Sequence, residues 1–346
     1  MESKKIRQIP SKLIVNTPGC FIGKTSRQIV VRKDRKKIIE YPSLYLKDII
    51  IAGKGISMSS DVIEYCAANE IPMFFISSTG KTSALFTPPY LSGDLGLLQL
   101  QALQNPSLST ELAREFIFGK ISNQINLVKS LKKYKHLNVK NFISPMKTAL
   151  FEIKQKKKAF NQKVIFAIEA RAAKSYWAAI KENFQRRFGF KGRSKQRSND
   201  LINSMLNYGY AILQGRVRLS LMRAGLNTEI SFLHSIQRGR ASLVFDLMEE
   251  FRAPVIDRTV FNLVNEEKSL SLTEEGLLSD NTRSILIQSI LKLLDSNVYF
   301  SGKKRSFDEV IEFQANAIVK HIDQSKKYQP FLESKQKKGS FLFIRR

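Results

Sequence analysis

Cysteine is nearly absent: Cys20 and Cys66 are the two in a chain of 346 residues. They form no CxxC spacing, which excludes a zinc finger, and one pair sets no disulfide framework. Both read as small buried hydrophobes. Histidine is almost as scarce, with three copies. No HExxH motif occurs, and no serine or cysteine sits in the setting of a hydrolase nucleophile, so protease and esterase chemistry have no basis. Apolar residues never run near the roughly 18 in succession that span a bilayer. The opening MESKKIRQIPSK lacks the apolar segment of a signal peptide, and the chain is expected to be cytoplasmic.

Acidic residues are also few, 30 Asp plus Glu against 57 Lys plus Arg, for a net charge of +27. That excess is far beyond the net charge of about 2–8 that keeps a small domain soluble. It speaks for an anionic partner. Nucleic acid leads; a membrane surface is second, weakened by the missing apolar runs. Gly-Lys-Thr occurs at 23–25 and 80–82. A phosphate-binding loop needs another glycine five residues earlier, where Pro18 and Phe75 stand instead. ATP hydrolysis therefore has no support, and Gly53-Lys54-Gly55 reads as a turn.

From 11 to about 90, short β-branched runs alternate with turn residues: Leu13–Val15, Ile29–Val31, Ile38-Ile39, Leu46–Ile51 and Met73–Ile76. One helix is expected from Asp61 to Asn69, capped by Ser59 or Ser60. Thereafter apolar residues recur at helical spacing, predicting helices at 97–104, 109–134, 143–154, 161–184, 200–224, 238–251, 254–265, 281–295 and 306–325. The expected fold is α+β and multidomain. A small β-rich domain spans 1–95, a larger all-α catalytic domain 96–331, and a basic flexible tail 332–346. No internal repeat or coiled-coil heptad run is present.

Four ionisable residues stand inside apolar stretches of the helical part. Glu169 lies in FAIEARAA (166–173), His234 in ISFLHSI (230–236), and Asp246 and Glu249 in SLVFDLMEEF (242–251). Burying such groups costs several kcal/mol, on the order of 3–5, unless they are paired or bound to a metal. Glu169 shares a helix side with Ile165, Ile168 and Ala172; it either faces a packed site or pairs with Arg171 or a neighbouring helix. His234 is either a ligand or a satisfied core histidine, whereas His136 and His321 sit among lysines and are expected to be solvated. Asp246 and Glu249 share one helix face and Glu250 adds a third acid, forming either a solvated acidic face or a cluster relieved by a divalent cation. Carboxylates with one imidazole suit Mg²⁺ or Mn²⁺.

Basic residues surround these acids. Arg238, Arg240, Arg252 and Arg258 bracket the acidic helix, and Arg193, Lys195 and Arg197 lie in the loop 185–199. They fit DNA phosphate contacts, Arg offering bidentate ones; for the loop, a solvated charge run is the alternative. Asp200 is placed to cap the next helix, and Asn203 and Asn207 to support the site.

FAIEARAA, DLINSMLNYGYAIL (200–213) and SFLHSIQRGRASLVFDLMEEFRAPVIDR (231–258) together resemble the CRISPR-associated integrase of spacer acquisition, the larger of the two core adaptation proteins. DIIIAGKGISMSSDVIEYCAANEIPMFF (48–75) and QANAIVKHI (314–322), followed by Tyr328 and Pro330, extend the likeness over nearly the whole chain. The resemblance implies an N-terminal domain for dimerisation and partner docking, a helical catalytic domain and a homodimer. It places Glu169, His234 and Glu249 as metal ligands, with Asp246 supporting; Glu is an allowed form of the third ligand. It further implies a smaller adaptation protein bridging two integrase dimers, with double-stranded DNA, the captured fragment and the CRISPR repeat, across the assembly. The expected reaction is attack of a fragment's 3′-hydroxyl on a repeat phosphodiester at Mg²⁺ or Mn²⁺. Two alternatives stand beside it: a metal-dependent nuclease of branched or single-stranded DNA, and a noncatalytic nucleic-acid scaffold whose four residues form buried ion pairs.

Overall fold

The computed structural model of the protein describes residues 12–77, 82–87, 95–131, 138–155, 160–194, 200–266 and 269–333. It divides into two compact units, Met1–Leu91 and Ser92–Arg346. Among the described residues, no helix is long and apolar enough to cross a membrane.

The first unit holds two four-stranded sheets. One has the order β1 (Lys12–Val15), β5 (Asp48–Ala52), β7 (Met73–Ile76), β8 (Thr82–Phe86), parallel except for β8. All five residues of β5 are buried, which is why Ile49–Ala52 runs apolar without alternation. The other sheet has the order β4 (Lys36–Pro42), β3 (Gln28–Lys33), β2 (Cys20–Thr25), β6 (Ser57–Met58). Its β3–β4 turn puts Asp34 and Arg35 at φ +49° and +63°, the left-handed pair that matches strand twist. Helix α1 (Ser60–Ala68) follows Ser59, which takes the N-cap position but makes no side-chain capping bond, and buries Val62 and Cys66. Both cysteines are free and buried, and burial pushes the Cys66 thiol up to about 12, which leaves it inert at neutral pH.

Strands β2, β6 and β8 carry no clean sequence signal. Gly23-Lys24-Thr25 ends β2 and enters a hairpin, so the first phosphate-loop lookalike is paired strand rather than a strand-to-helix loop. Gly80 and Lys81 of the second lie outside the described residues.

The second unit is built on α2 (Gly96–Gln104), α3 (Pro106–Ser130), α4 (Val139–Ile153), α5 (Gln162–Phe188), α6 (Leu201–Arg223), α7 (Ser242–Phe251), α8 (Arg258–Asn265), α9 (Asp280–Leu294) and α10 (Phe307–Ile322). Side-chain caps start several of them: Asn105 for α3, Asn161 for α5, Asp200 for α6, and a Ser306/Glu309 capping box for α10. A hairpin, β9 (Asn297–Phe300) and β10 (Lys303–Ser306), interrupts the helical order, so this unit is not wholly α. Its turn residues Ser301 and Gly302 have φ +48° and +76°.

Between α7 and α8 the chain widens into a π-helical turn, Arg252–Asp257, at Pro254. Proline lacks an N–H and its ring crowds the carbonyl four residues back, that of Glu250. Asn123 of α3 takes that freed carbonyl, donating from Nδ2 at 2.8 Å. The same amide donates to Phe331 O at 2.8 Å, and Glu333 N donates to Asn123 Oδ1 at 2.9 Å. The segment to Glu333 is thus tied into the helical unit, while 334–346, most of the expected tail, lies outside the described residues.

Gly209 lets α6 approach this turn: a Cβ there would stand 2.7 Å from Ile256 Cγ2 and 3.3 Å from Ile290 Cδ1. Ile256 is β-branched and buried, so it has little room to yield. Gly209→Ala should therefore lose about 1–3 kcal/mol to overpacking, against the ~1 kcal/mol helix propensity alone would add. A lowered urea midpoint at unchanged slope is the expected reading.

Candidate active site

Helix α7 is buried almost all round, and its acids face different partners. Asp246, fully buried, gathers the loop before it: Oδ2 accepts from Phe232 N at 2.8 Å and Leu233 N at 3.0 Å. Oδ1 accepts from His234 N at 3.1 Å and pairs with His234 Nδ1 at 2.7 Å. When Nδ1 carries the proton, Nε2 keeps its lone pair, the form in which a histidine binds metal. Phe166 and Phe245 pack edge-on against the ring, with centroids 6.0 and 6.2 Å away. His234 is neither a solvated nor a simple core residue; its orientation is set by a carboxylate.

Glu249 lies one turn on, also buried. Its Oε2 is 2.7 Å from Lys120 Nζ and its Oε1 is 3.2 Å from Arg252 Nε. Burial alone would raise its pKa, but the adjoining Arg252 and Lys120 charges outweigh it and hold the carboxyl at about 2. Glu169, from α5, meets the same ammonium: Lys120 Nζ donates to Glu169 Oε1 at 2.6 Å. Burial works against the Lys120 charge, yet Glu249 and Glu169 raise its pKa, so it stays an ammonium. Arg171 pairs instead with Glu152, 2.7 Å away. Glu169 therefore pairs across to a neighbouring helix, one of the readings its sequence setting left open, through a lysine that no sequence signal marked. Its position among KISNQ gives no hint, because its partners lie 49 and 129 residues downstream.

Glu250 belongs elsewhere. It is fully buried and pushed up to about 8 by burial, eased by its donors. Tyr328 OH donates to Oε1 at 2.5 Å, while Gln314 Nε2 and Phe331 N donate to Oε2 at 2.9 and 2.7 Å. It anchors the C-terminal segment and is no third member of an acidic cluster; the three acids form no solvated face. His321 is likewise buried, with Nδ1 accepting from Tyr328 N at 3.2 Å and Nε2 facing Leu108 O at 3.2 Å. The expectation of a solvated His321 is corrected: lysines flank it in sequence, but its own face of α10 turns inward. His136 lies outside the described residues.

The basic residues divide. Arg252 and Arg193 both stand over the Tyr210 ring, at 4.8 and 5.4 Å from its centroid. Asn203 and Asn207, expected to support the acids, accept from Arg193 Nη1 at 3.1 Å and Nη2 at 2.6 Å. Tyr210 and Tyr176 donate to Asp257 at 2.5 and 2.6 Å, closing a buried network behind Arg252. Arg258 pairs with Glu333. Arg238 and Arg240 are exposed beside His234's loop, Arg240 over the Phe245 ring at 5.0 Å. Lys195 and Arg197 lie outside the described residues.

Among the described residues, no three His, Cys, Asp or Glu side chains stand at mutual spacing for one metal ion. What the structure does gather is two carboxylates about one cation, the Lys120 ammonium, beside the carboxylate-held His234. Glu249 Oε2 is buried, with the Lys120 ammonium 2.7 Å away. Two carboxylates and an imidazole nitrogen are the donor chemistry that a hard divalent ion takes.

A family model described as CRISPR associated protein Cas1 matches residues 13–292. A curated relative from Archaeoglobus fulgidus, named CRISPR-associated endonuclease Cas1 1, is 28% identical over 343 residues, covering 93% of this chain and 99% of its own length. Among solved structures, a casposase bound to integration product superposes with TM-score 0.77 at 20% identity, covering 94% of each chain. A Cas6-RT-Cas1–Cas2 complex matches at TM-score 0.76 and 19% identity, over 97% of this chain and 37% of that one.

Two expected outcomes follow from the geometry. Asp246→Asn leaves one acceptor oxygen where four N–H groups converge; two unpaired donors should cost about 2–5 kcal/mol of stability in urea unfolding. Asp257 is pushed by burial from 3.8 up to about 6, although both tyrosines and the nearby arginines oppose the shift. The folded protein thus keeps this proton to higher pH than the unfolded chain, and stability falls as pH rises from about 4 through about 6. In thermal melts across that window, the decline should be less steep in Asp257→Asn than in the wild type, the remainder coming from groups such as Glu250 that are also raised.

Proposed function

The chain belongs to the CRISPR-associated Cas1 family, and from that premise we propose that it is a divalent-metal-dependent DNA integrase of CRISPR adaptation. The observation that carries this reading is the convergence of Glu169 and Glu249 on one cation beside His234, itself held by Asp246. Glu169, His234 and Glu249 would hold Mg²⁺ or Mn²⁺, which when bound supplies charge neutralisation at the reacting phosphate. Asp246 keeps His234 in the ligating tautomer and ties its loop to α7. Arg252, fixed between Glu249 and the Tyr210 ring, and the exposed Arg238 and Arg240 supply positive charge for DNA phosphates. Arg193 is held toward the same ring by Asn203 and Asn207.

In the proposed reaction a fragment's 3′-hydroxyl forms a P–O bond to a repeat phosphate while the bond to the repeat's own 3′-oxygen breaks. One phosphodiester replaces another, so no nucleotide is consumed, in keeping with the absent phosphate-binding loop. The net charge of +27 suits a protein that holds two duplexes at once. The proposed assembly is a homodimer joined by a smaller adaptation protein; the Cas1–Cas2 complex among the structural neighbours supports it. A second reading, hydrolysis with water as nucleophile, draws on the endonuclease name of the relative. A third, the scaffold, draws on the Lys120 ion pairs themselves.

An integration assay separates them, using labelled duplex with free 3′-hydroxyls, a plasmid bearing the cognate repeat array, and the small partner. Joined product should form in Mn²⁺ or Mg²⁺, vanish with EDTA, and fall by at least about 10³-fold in Glu169→Ala while DNA binding persists. Cleavage without joining would establish the nuclease, and binding with neither the scaffold. Full joining by Glu169→Ala would sink the assignment of the site.

A further inference from the structure

Lys120 is the one member of the site that no motif announces, and its geometry goes beyond ordinary ion pairing. It projects from the middle of α3 into the space between α5 and α7, with a side chain only 13% exposed. Its ammonium lies 2.6 Å from Glu169 Oε1 and 2.7 Å from Glu249 Oε2, so one cation joins two carboxylates carried by different helices. The remaining oxygen of Glu249 faces Arg252 Nε at 3.2 Å.

The backbone beneath this lysine cannot retreat. At the adjacent Gly119, an added Cβ would lie 2.8 Å from Pro330 Cβ and 3.0 Å from Glu250 Cγ, so α3 is pressed against α7 and the C-terminal segment at that level. Adjustment is left to the flexible four-carbon stem of Lys120. A divalent ion ligated by Glu169 and Glu249 needs the oxygens that the ammonium engages. At such separations two cations repel strongly, and low exposure leaves little water to screen them.

We infer that Lys120 is a tethered counter-cation: it holds the two carboxylates together in the metal-free protein and must be displaced by the divalent ion, thereby setting the metal affinity of the site. The inference rests on the divalent-cation reading of Glu169, His234 and Glu249, and gives the lysine a positioning role. It predicts an inverted mutant phenotype. Removing a residue that touches both carboxylates should destabilise the metal-free protein yet tighten metal binding.

The test uses the full chain stripped with EDTA and titrated with Mn²⁺. Free Mn²⁺ is read by electron paramagnetic resonance and thermal melts are recorded at each step. Lys120→Met should melt lower than wild type without metal, bind Mn²⁺ at least about tenfold tighter, and show the larger Mn²⁺-induced rise in Tm. Lys292→Met, an exposed lysine of α9, controls for overall charge and should leave the Mn²⁺ affinity unchanged. Lys120→Gln serves the same purpose if the methionine variant does not fold. Wild-type binding that Glu169→Gln abolishes, with equal or weaker binding in the Lys120 variant, overturns the inference and spares the metal reading. Absence of Mn²⁺ binding in wild type overturns both.

Discussion

Three carboxylates on one buried helix, each needing a counter-charge or a set of donors, organise the helical unit. Helix α7 places Asp246, Glu249 and Glu250 within five residues and gives none of them to solvent. Solvating a buried carboxylate by protein groups takes several donors. Asp246 recruits three backbone N–H groups and an imidazole, Glu249 two cationic side chains, and Glu250 a tyrosine, a glutamine and a backbone N–H. Those partners come from α3, the 231–234 loop, the π-helical turn, α10 and the chain after it. The acids therefore stitch the unit together, and only one of the three lies directly against the Lys120 cation.

The proline after α7 extends the same logic to the backbone. Pro254 frees the Glu250 carbonyl, and Asn123 captures it together with Phe331. A local defect in one helix thereby becomes the dock for a segment nearly 80 residues downstream, held at its other side by the Glu250 carboxyl. The π-helical turn also carries Arg252 and Asp257, so the widening that proline forces sets where the arginine behind Glu249 stands. Tyr210, pinned by Asp257, offers that arginine an aromatic face. Buried networks of this kind hold their members in place in proportion to how fully they are satisfied.

Function in such a site turns on the balance of charge. Glu169 and Glu249 share the ammonium of Lys120, while His234 keeps a nitrogen directed away from Asp246. Positive charge comes from side chains with fixed partners (Lys120, Arg193, Arg252) and from exposed ones such as Arg238 and Arg240. The first group lies among the buried acids and rings; the second stands at the surface.

The sequence by itself determined the element order, because hydrophobic periodicity is local: the β-rich start, each long helix, and the Asp200 cap are legible in the residues. It also singled out Glu169, His234, Asp246 and Glu249, since an ionisable group in an apolar stretch announces an unusual environment. Strands β2, β6 and β8 and the β9–β10 hairpin escaped it, being short, charged or glycine-broken runs whose pairing is decided by neighbours. Only the tertiary structure decided who partners whom. It drew Lys120 to carboxylates 49 and 129 residues away, turned Glu250 from the site toward Tyr328, and buried His321 despite its flanking lysines. It also gave Asn203 and Asn207 to Arg193. The physical reason is common to all four: a polar side chain's partner is fixed by which helices pack together, and that packing is a property of the whole core rather than of any window of sequence.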